Sequence, residues 1–350
     1  MPIKLMIADD SALMRRHFLQ TFDNPAEFQV FTVRNGREAV EENLRQEPDV
    51  VLLDVNMPEM DGLTALAHIQ QSRPVPVIMV SSLTQAGALA TFEALNLGAV
   101  DYVPKPSGTI SLSIDQIRDE LLSKVRAAAR ARPRRPGAVL VQRMREEKRQ
   151  IQATRALHQQ KAEGLVLIGV STGGPGTLEQ ILPLLPADFP YPVLVVQHMP
   201  ASFTGPFAQR LNGICALEVV ETTQLMPVEP GRVYIARGGA DMVAVLRGGR
   251  LHVQPQPEAS TYLWHPSVDR LARSVLDLCQ PAHLIGVLLT GMGNDGATAL
   301  AELRQKGGRT IAESEDSAVV FGMPRELIEL KGATRVLPAH QIAQQLIHWA

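Results

Sequence analysis

Val50-Val51-Leu52-Leu53-Asp54-Val55-Asn56-Met57-Pro58-Glu59-Met60-Asp61-Gly62 is the stretch on which the fold turns. An apolar run ends on a carboxylate, crosses a turn marked by Pro58 and Gly62, and enters a helix-like stretch over 62–72. That is one strand–helix unit. Further apolar runs lie at Ile3–Ala8, Phe28–Val33, Val77–Val80 and Asp101–Val103, with helix-like stretches near 11–22, 36–46, 84–97 and 112–128. Repetition at this length predicts a five-stranded, doubly wound parallel sheet over residues 1–124. In such sheets ligands bind at the carboxyl ends of the strands.

A second α/β block runs from 164 to 350. Its apolar runs are Leu165–Val170, Pro192–Val196, Val233–Ile235, Leu284–Leu289 and Thr310–Ile311. Helices are expected near 175–184, 203–212, 267–278, 296–306, 317–330 and 339–348. Asp241–Leu246 and Arg250–Gln254, joined by Gly248-Gly249, read as an antiparallel hairpin. The second domain is thus a mostly parallel sheet with an antiparallel addition.

The charge is unevenly spread. The chain of 350 residues carries 34 Lys and Arg against 36 Asp and Glu, a net −2. Residues 1–124 carry −7, residues 125–163 carry +8 and residues 164–350 carry −3. The basic stretch holds Arg132-Pro133-Arg134-Arg135-Pro136-Gly137 and a polar, helix-forming run over Arg143–Gln160. It reads as a linker, either a solvated tether or a docking segment for acidic surfaces. No apolar run is long enough to cross a membrane, and the N-terminus lacks a secretory pattern. Only Cys215 and Cys279 are present, too few for a disulfide framework, so the expected location is cytoplasmic. The second domain has no helix-turn-helix with a basic recognition face, which argues against nucleic-acid binding.

Polar residues stand at successive strand ends of the first block: Asp9-Asp10, Asp54, Ser81-Ser82 and Lys105. Carboxylates gathered on one sheet edge repel unless a cation is present. A hard, oxygen-liganded Mg²⁺ suits them, with a lysine and a hydroxyl left to hold phosphoryl oxygens. Each aspartate taken singly is equally well a turn or helix-cap residue; their coincidence is what points to a site.

The second block offers Gly169-Val170-Ser171-Thr172-Gly173-Gly174-Pro175-Gly176. A serine between glycines at a strand-to-helix turn fits a nucleophile elbow, and equally an anion-binding glycine loop. Gln197-His198-Met199-Pro200 places a histidine at the next strand end, suited to a general base. Leu289-Thr290-Gly291-Met292-Gly293-Asn294-Asp295-Gly296 places a carboxylate that orients an imidazole, or that caps the helix 296–306. The order Ser…His…Asp differs from that of α/β-hydrolases. His265 begins a helix without an assigned role, and His252, His283, His340 and His348 carry no chemistry. No histidine cluster suits zinc.

Residues 1–124 resemble a response-regulator receiver domain, through Asp9-Asp10, Leu52–Gly62, Ser81 and Tyr102-Val103-Pro104-Lys105-Pro106. The whole chain, apart from the linker, resembles the CheB family of chemotaxis response-regulator protein-glutamate methylesterases. That resemblance rests on Ile168–Pro175, Gln197–Pro200 and Leu289–Gly296. It implies a phosphoprotein of a two-component system in which Asp54 accepts the phosphoryl group and Asp9, Asp10, Asp54 and the Asn56 carbonyl ligate Mg²⁺. It implies Ser81 as the switch hydroxyl, Tyr102 as the switch aromatic and Lys105 as the phosphate-binding cation. It further implies Ser171 as nucleophile, His198 as base and Asp295 as orienter, with oxyanion support near Met292 and assistance from Thr172. The implied reaction is hydrolysis of glutamate methyl esters on methyl-accepting chemoreceptors, with deamidation of glutamines and no cofactor for the ester step. A chemotaxis histidine kinase is the implied phosphodonor, and a monomer is the default. The unphosphorylated receiver is expected to cover the esterase site until Asp54 is phosphorylated. Alternatives are a phosphorylation-gated binding module and an esterase serving a non-chemotaxis receptor array.

Overall fold

The computed structural model describes residues 2–82, 84–105, 114–130 and 164–350. The chain forms two compact units, Met1–Gly137 and Ala138–Ala350. Arg132–Gly137 and Arg143–Gln160 lie outside the described residues.

The first unit alternates β1 (Ile3–Ala8), α1 (Ala12–Thr21), β2 (Phe28–Val33), α2 (Gly36–Gln46), β3 (Val50–Asp54), α3 (Gly62–Ser72), β4 (Val77–Ser81), α4 (Gln85–Asn96), β5 (Asp101–Pro104) and α5 (Ile114–Ala128). The strands are ordered β2-β1-β3-β4-β5, all parallel. Every residue of β3 and of β4 is buried, as expected for strands covered by helices on both faces. Each fully buried Val or Leu there contributes roughly 1.5–3 kcal/mol. Ser11, Asn35, Asp61 and Thr84 cap the helices that follow them, each accepting from a backbone amide of the first turn. Asp61 is therefore occupied as a cap. Helix α5 runs past residue 124 and buries Leu121, Val125 and Ala128.

The second unit contains β6 (Leu165–Val170), α6 (Gly174–Ile181), β7 (Val193–Gln197), α7 (Ala201–Ile214), β8 (Glu218–Thr222), β9 (Met226–Pro227), β10 (Arg232–Ala236), β11 (Asp241–Arg247), β12 (Arg250–Gln256), α8 (Val268–Leu276), β13 (Leu284–Leu288), α9 (Ala297–Gln305), β14 (Arg309–Glu313), α10 (Met323–Glu329), β15 (Arg335–Leu337) and α11 (Ala339–Trp349). Its main sheet is seven-stranded, ordered β15-β14-β13-β6-β7-β10-β8, and parallel throughout. A smaller antiparallel sheet, β11-β12-β9, carries the hairpin, whose Gly248 and Gly249 both take positive φ (56° and 74°). Helix α8 buries Val268, Leu271, Ala272, Val275 and Leu276, the spacing of one helical face.

Two strands of the main sheet are absent from the sequence expectation, β8 and β15. Both are edge strands and only partly buried, so neither carries a continuous apolar run. The helix expected over 317–330 is confined to α10. The residues before it are drawn into tertiary hydrogen bonds: the Val320 amide donates to Thr290 Oγ1 (2.9 Å) and the Gly291 amide to the Val320 carbonyl (3.0 Å).

Candidate functional site

The chain order in the main sheet steps from β6 outward through β7 and returns to β13 on the opposite side. The crevice at the carboxyl ends of β6 and β13 is therefore a topological switch point, where ligands bind in such sheets. Ser171 follows β6, His198 follows β7 and Asp295 lies in the turn after β13.

Ser171 is held by its backbone. Its amide donates to the Thr290 carbonyl (2.9 Å), and its carbonyl accepts from the Gly174 amide (2.8 Å). Gln197 Nε2 donates both to the Ser171 carbonyl and to the His198 carbonyl (3.0 Å each), tying the two strand ends together. Side chains are excluded where the backbone closes in. A Cβ on Gly174 would stand 2.1 Å from Gln197 Oε1, and one on Gly291 would stand 2.7 Å from Ser171 Cβ. Gly173 takes φ 77° at the start of α6, a conformation that suits glycine. Thr172 is buried, and its carbonyl accepts from Thr290 Oγ1 (2.9 Å). Met292 lies between Gly291 and Gly293, the latter with φ 85°.

His198 Nε2 lies 2.9 Å from Asp295 Oδ2. Its other ring nitrogen, Nδ1, is buried without a hydrogen-bond partner among the described residues. A carboxylate is an acceptor, so Nε2 carries the proton and Nδ1 presents a lone pair. Asp295 is itself saturated. Oδ1 accepts from Ser267 Oγ and the Asp269 amide (3.0 Å each), and Oδ2 accepts also from the Val268 amide (2.7 Å). The carboxylate thus docks on the N-terminus of α8, where free amides and the helix dipole favour an anion. Burial pushes its carboxyl up, but the His198 contact and the Asp269 and Val268 amides more than offset this, leaving it below the ordinary value. Asp295 is not the cap of α9; Gly296 occupies that position, with φ 85°.

Several supporting residues escaped the sequence reading. Glu313, fully buried at the end of β14, accepts from the Thr290 amide (2.8 Å) and Ser317 Oγ (2.8 Å). An acid closing an apolar strand is the same signal that singled out Asp54. His265 Nδ1 meets buried Asp241 (3.0 Å), which also accepts from the Ser267 amide (2.8 Å) and Arg270. Trp264 stacks on the His198 ring, centroids 5.8 Å apart and planes 4° from parallel. No pattern in the sequence announces that contact.

In the first unit, Asp9-Asp10 and Asp54 meet at the switch point between β1 and β3. The three carboxylates offer ligand atoms within 4.8 Å of one another; Asp9 and Asp54 are buried and Asp10 is exposed. Lys105 Nζ lies 2.7 Å from Asp54 Oδ2 and 3.1 Å from Asp9 Oδ2. Burial raises the Asp54 carboxyl, and Asp9 adds to the rise despite Lys105. Burial alone would lower the Lys105 ammonium, but Asp54 and Asp9 outweigh it and leave it raised. One lysine shared by two buried carboxylates leaves the site short of positive charge. Apart from that ion pair with Lys105, Asp9 Oδ2 has no hydrogen-bond partner among the described residues. Both features fit a divalent cation with oxygen ligands. Ser81 Oγ donates to the Gly87 carbonyl (3.1 Å), and the Asn56 amide donates to Asp54 Oδ1 (3.3 Å). Tyr102 is buried, with Lys124 Nζ 5.1 Å from its ring centroid. Among the described residues no helix is long and apolar enough to cross a membrane.

A family model described as CheB methylesterase matches residues 166–346, and one described as response regulator receiver domain matches residues 5–114. A protein-glutamate methylesterase/protein-glutamine glutaminase of Rhodospirillum rubrum is 53% identical, covering 99% of this chain and 96% of its own. One from Carboxydothermus hydrogenoformans is 48% identical, covering 99% and 98%. The crystal structure of the Thermotoga maritima CheB methylesterase catalytic domain shares 38% identity, covers 53% of this chain and 98% of its own, and superposes with a TM-score of 0.52.

Proposed function

This chain belongs to the CheB methylesterase family with a response-regulator receiver domain, and from that premise we propose how its two units work. It is a phosphorylation-regulated protein-glutamate methylesterase and protein-glutamine glutaminase of chemotaxis. We assign residues 1–124 to the receiver, 125–163 to a linker and 164–350 to the catalytic domain.

In the catalytic domain Ser171 is the nucleophile. His198 Nδ1, the ring nitrogen without a partner, takes the proton from Ser171 Oγ as the hydroxyl attacks the γ-carbonyl of a methylated glutamate. The imidazolium that forms is held through Nε2 by Asp295. The oxyanion rests on backbone amides near Met292, with Thr172 assisting. Proton return from His198 releases methanol and leaves an acyl-enzyme. Water, deprotonated by His198, attacks the acyl carbon and frees glutamate and Ser171. Deamidation follows the same course with ammonia leaving. These steps use side chains and amides of the chain together with one water.

In the receiver Asp54 is the phosphoacceptor and Lys105 binds the phosphoryl oxygens. Asp9, Asp10, Asp54 and the Asn56 carbonyl would hold Mg²⁺, which supplies positive charge to offset the carboxylates and the incoming phosphate. Ser81 and Tyr102 relay the change in charge. The substrates are methyl-accepting chemoreceptors, the phosphodonor is the chemotaxis histidine kinase, and the enzyme acts in the cytoplasm as a monomer.

The observation that carries the reading is the His198–Asp295 pair with Nδ1 left open, on a residue whose amide bonds the Val170 carbonyl next to Ser171. The test is methanol release from methylated receptor membranes, for the full chain and for Ser171→Ala. The variant should lose activity by at least about 10⁴-fold. Retention of the rate by Ser171→Ala would remove Ser171 from the mechanism.

A further inference from the structure

His198 is anchored at one ring nitrogen only. Its hydrogen bond to Asp295 fixes Nε2 and the Cβ–Cγ bond tethers the other end of the ring, so the motion left is a tilt of the ring plane about the Cβ···Nε2 line, which moves Nδ1. A second constraint is needed, and it must act on the ring face, because Nδ1 has no partner. Trp264 supplies a face: its ring lies parallel to the imidazole, 4° between planes and 5.8 Å between centroids.

The tryptophan is itself held from two directions. Gly293, in the loop after β13, approaches so closely that a Cβ there would stand 2.6 Å from the indole Cζ2. On the chain side the next residue, His265, is tied through Nδ1 to buried Asp241, which Arg270 also contacts. Asp295 meets the imidazole at Nε2, and Asp269 on α8 lies close to Asp295.

We propose that Trp264, stacked on His198, is a positioning residue for the esterase reaction: it fixes the imidazole plane so that Nδ1 faces Ser171, and Gly293 and the Asp241–His265 pair hold it there. The proposal rests on the assignment of His198 as base.

Three variants of the full-length enzyme test it, with methanol release as the assay. Trp264→Ala should lower kcat about tenfold and leave KM within twofold, since the base is disturbed and ester binding is not. Trp264→Phe retains an aromatic face and should recover kcat to within about threefold of wild type. His198→Gln removes the base and should silence methanol release. A Trp264→Ala enzyme with undiminished kcat, or a loss confined to KM, would overturn the proposal. If His198→Gln itself still releases methanol, the base assignment has failed too. That result is distinct from a full-rate Trp264→Ala in an enzyme that His198→Gln silences.

Discussion

Asp295→Asn is the substitution whose outcome the geometry constrains most tightly. The carboxylate accepts four hydrogen bonds and donates none: Ser267 Oγ and the Asp269 amide on Oδ1, the Val268 amide and His198 Nε2 on Oδ2. An amide has one acceptor oxygen and must turn its NH₂ toward one of these pairs. Facing His198 and the Val268 amide, it meets two donors. Facing Ser267 and the Asp269 amide, it meets one donor and a hydroxyl that can rotate to accept. The second orientation wins, and it leaves a single amide, that of Asp269, unpaired. The cost of one such group is about 2 kcal/mol. Asp295→Ala strips acceptors from both amides and should cost about 4 kcal/mol. Both tryptophans lie in the second unit, so indole fluorescence in a urea titration reads the unfolding of that unit alone.

The same orientation keeps an oxygen opposite Nε2 and preserves the ring tautomer. An amide that inverts the tautomer of a catalytic histidine costs about 10⁴-fold. Here the loss is limited to the charge that stabilises the imidazolium, and kcat should fall about 10²-fold in Asp295→Asn but about 10⁴-fold in Asp295→Ala. Equal loss in the two variants, in rate or in stability, would refute the claim that α8 dictates the orientation of the side chain.

Gly291→Ala places a Cβ 2.4 Å from Met323 Sδ and 2.7 Å from Ser171 Cβ; it should cost about 1–3 kcal/mol in a urea titration and lower kcat by displacing the serine. Asp54→Asn should abolish the response of methanol release to a small phosphodonor with Mg²⁺ while leaving the basal rate, and a retained response would place the phosphoacceptor elsewhere. Asp295 lies below its ordinary value when folded; it therefore contributes stability that is complete above the unfolded value, about 3.9, and is lost as pH falls through the folded one. The acid-side decline in stability, followed by indole fluorescence, should accordingly be shallower in Asp295→Ala.

Much of this protein is legible in one dimension because parallel sheets write a simple code. A strand covered on both faces must be apolar throughout, so β1, β3, β6, β7 and β13 stand out as runs. A polar residue that ends such a run lies at the sheet edge where ligands bind. That placed Asp9, Asp54, Ser171 and His198 correctly at the strand ends and brought Asp295 into the turn after β13. The edge strands β8 and β15 lacked the signal because one side of each is open. The helix expected over 317–330 failed for its first residues because Thr290 and Gly291 compete for their backbone.

The sequence by itself therefore determined two α/β units, the strand ends on which their chemistry sits, and the residue types available there. Only the tertiary structure decided which partner each residue meets. Asp295 reads equally as a cap for the helix after it or as an acceptor for an imidazole, since both need only a carboxylate after a strand. The choice was made by α8, some 27 residues earlier in the chain, whose free amides Val268 N and Asp269 N require an anion. Trp264 carries no local signal because stacking depends on where two rings arrive in space, not on their spacing along the chain. Hydrophobic burial repeats with the period of an element and can be read along the chain; a hydrogen-bond or ring partner is set by the meeting of elements.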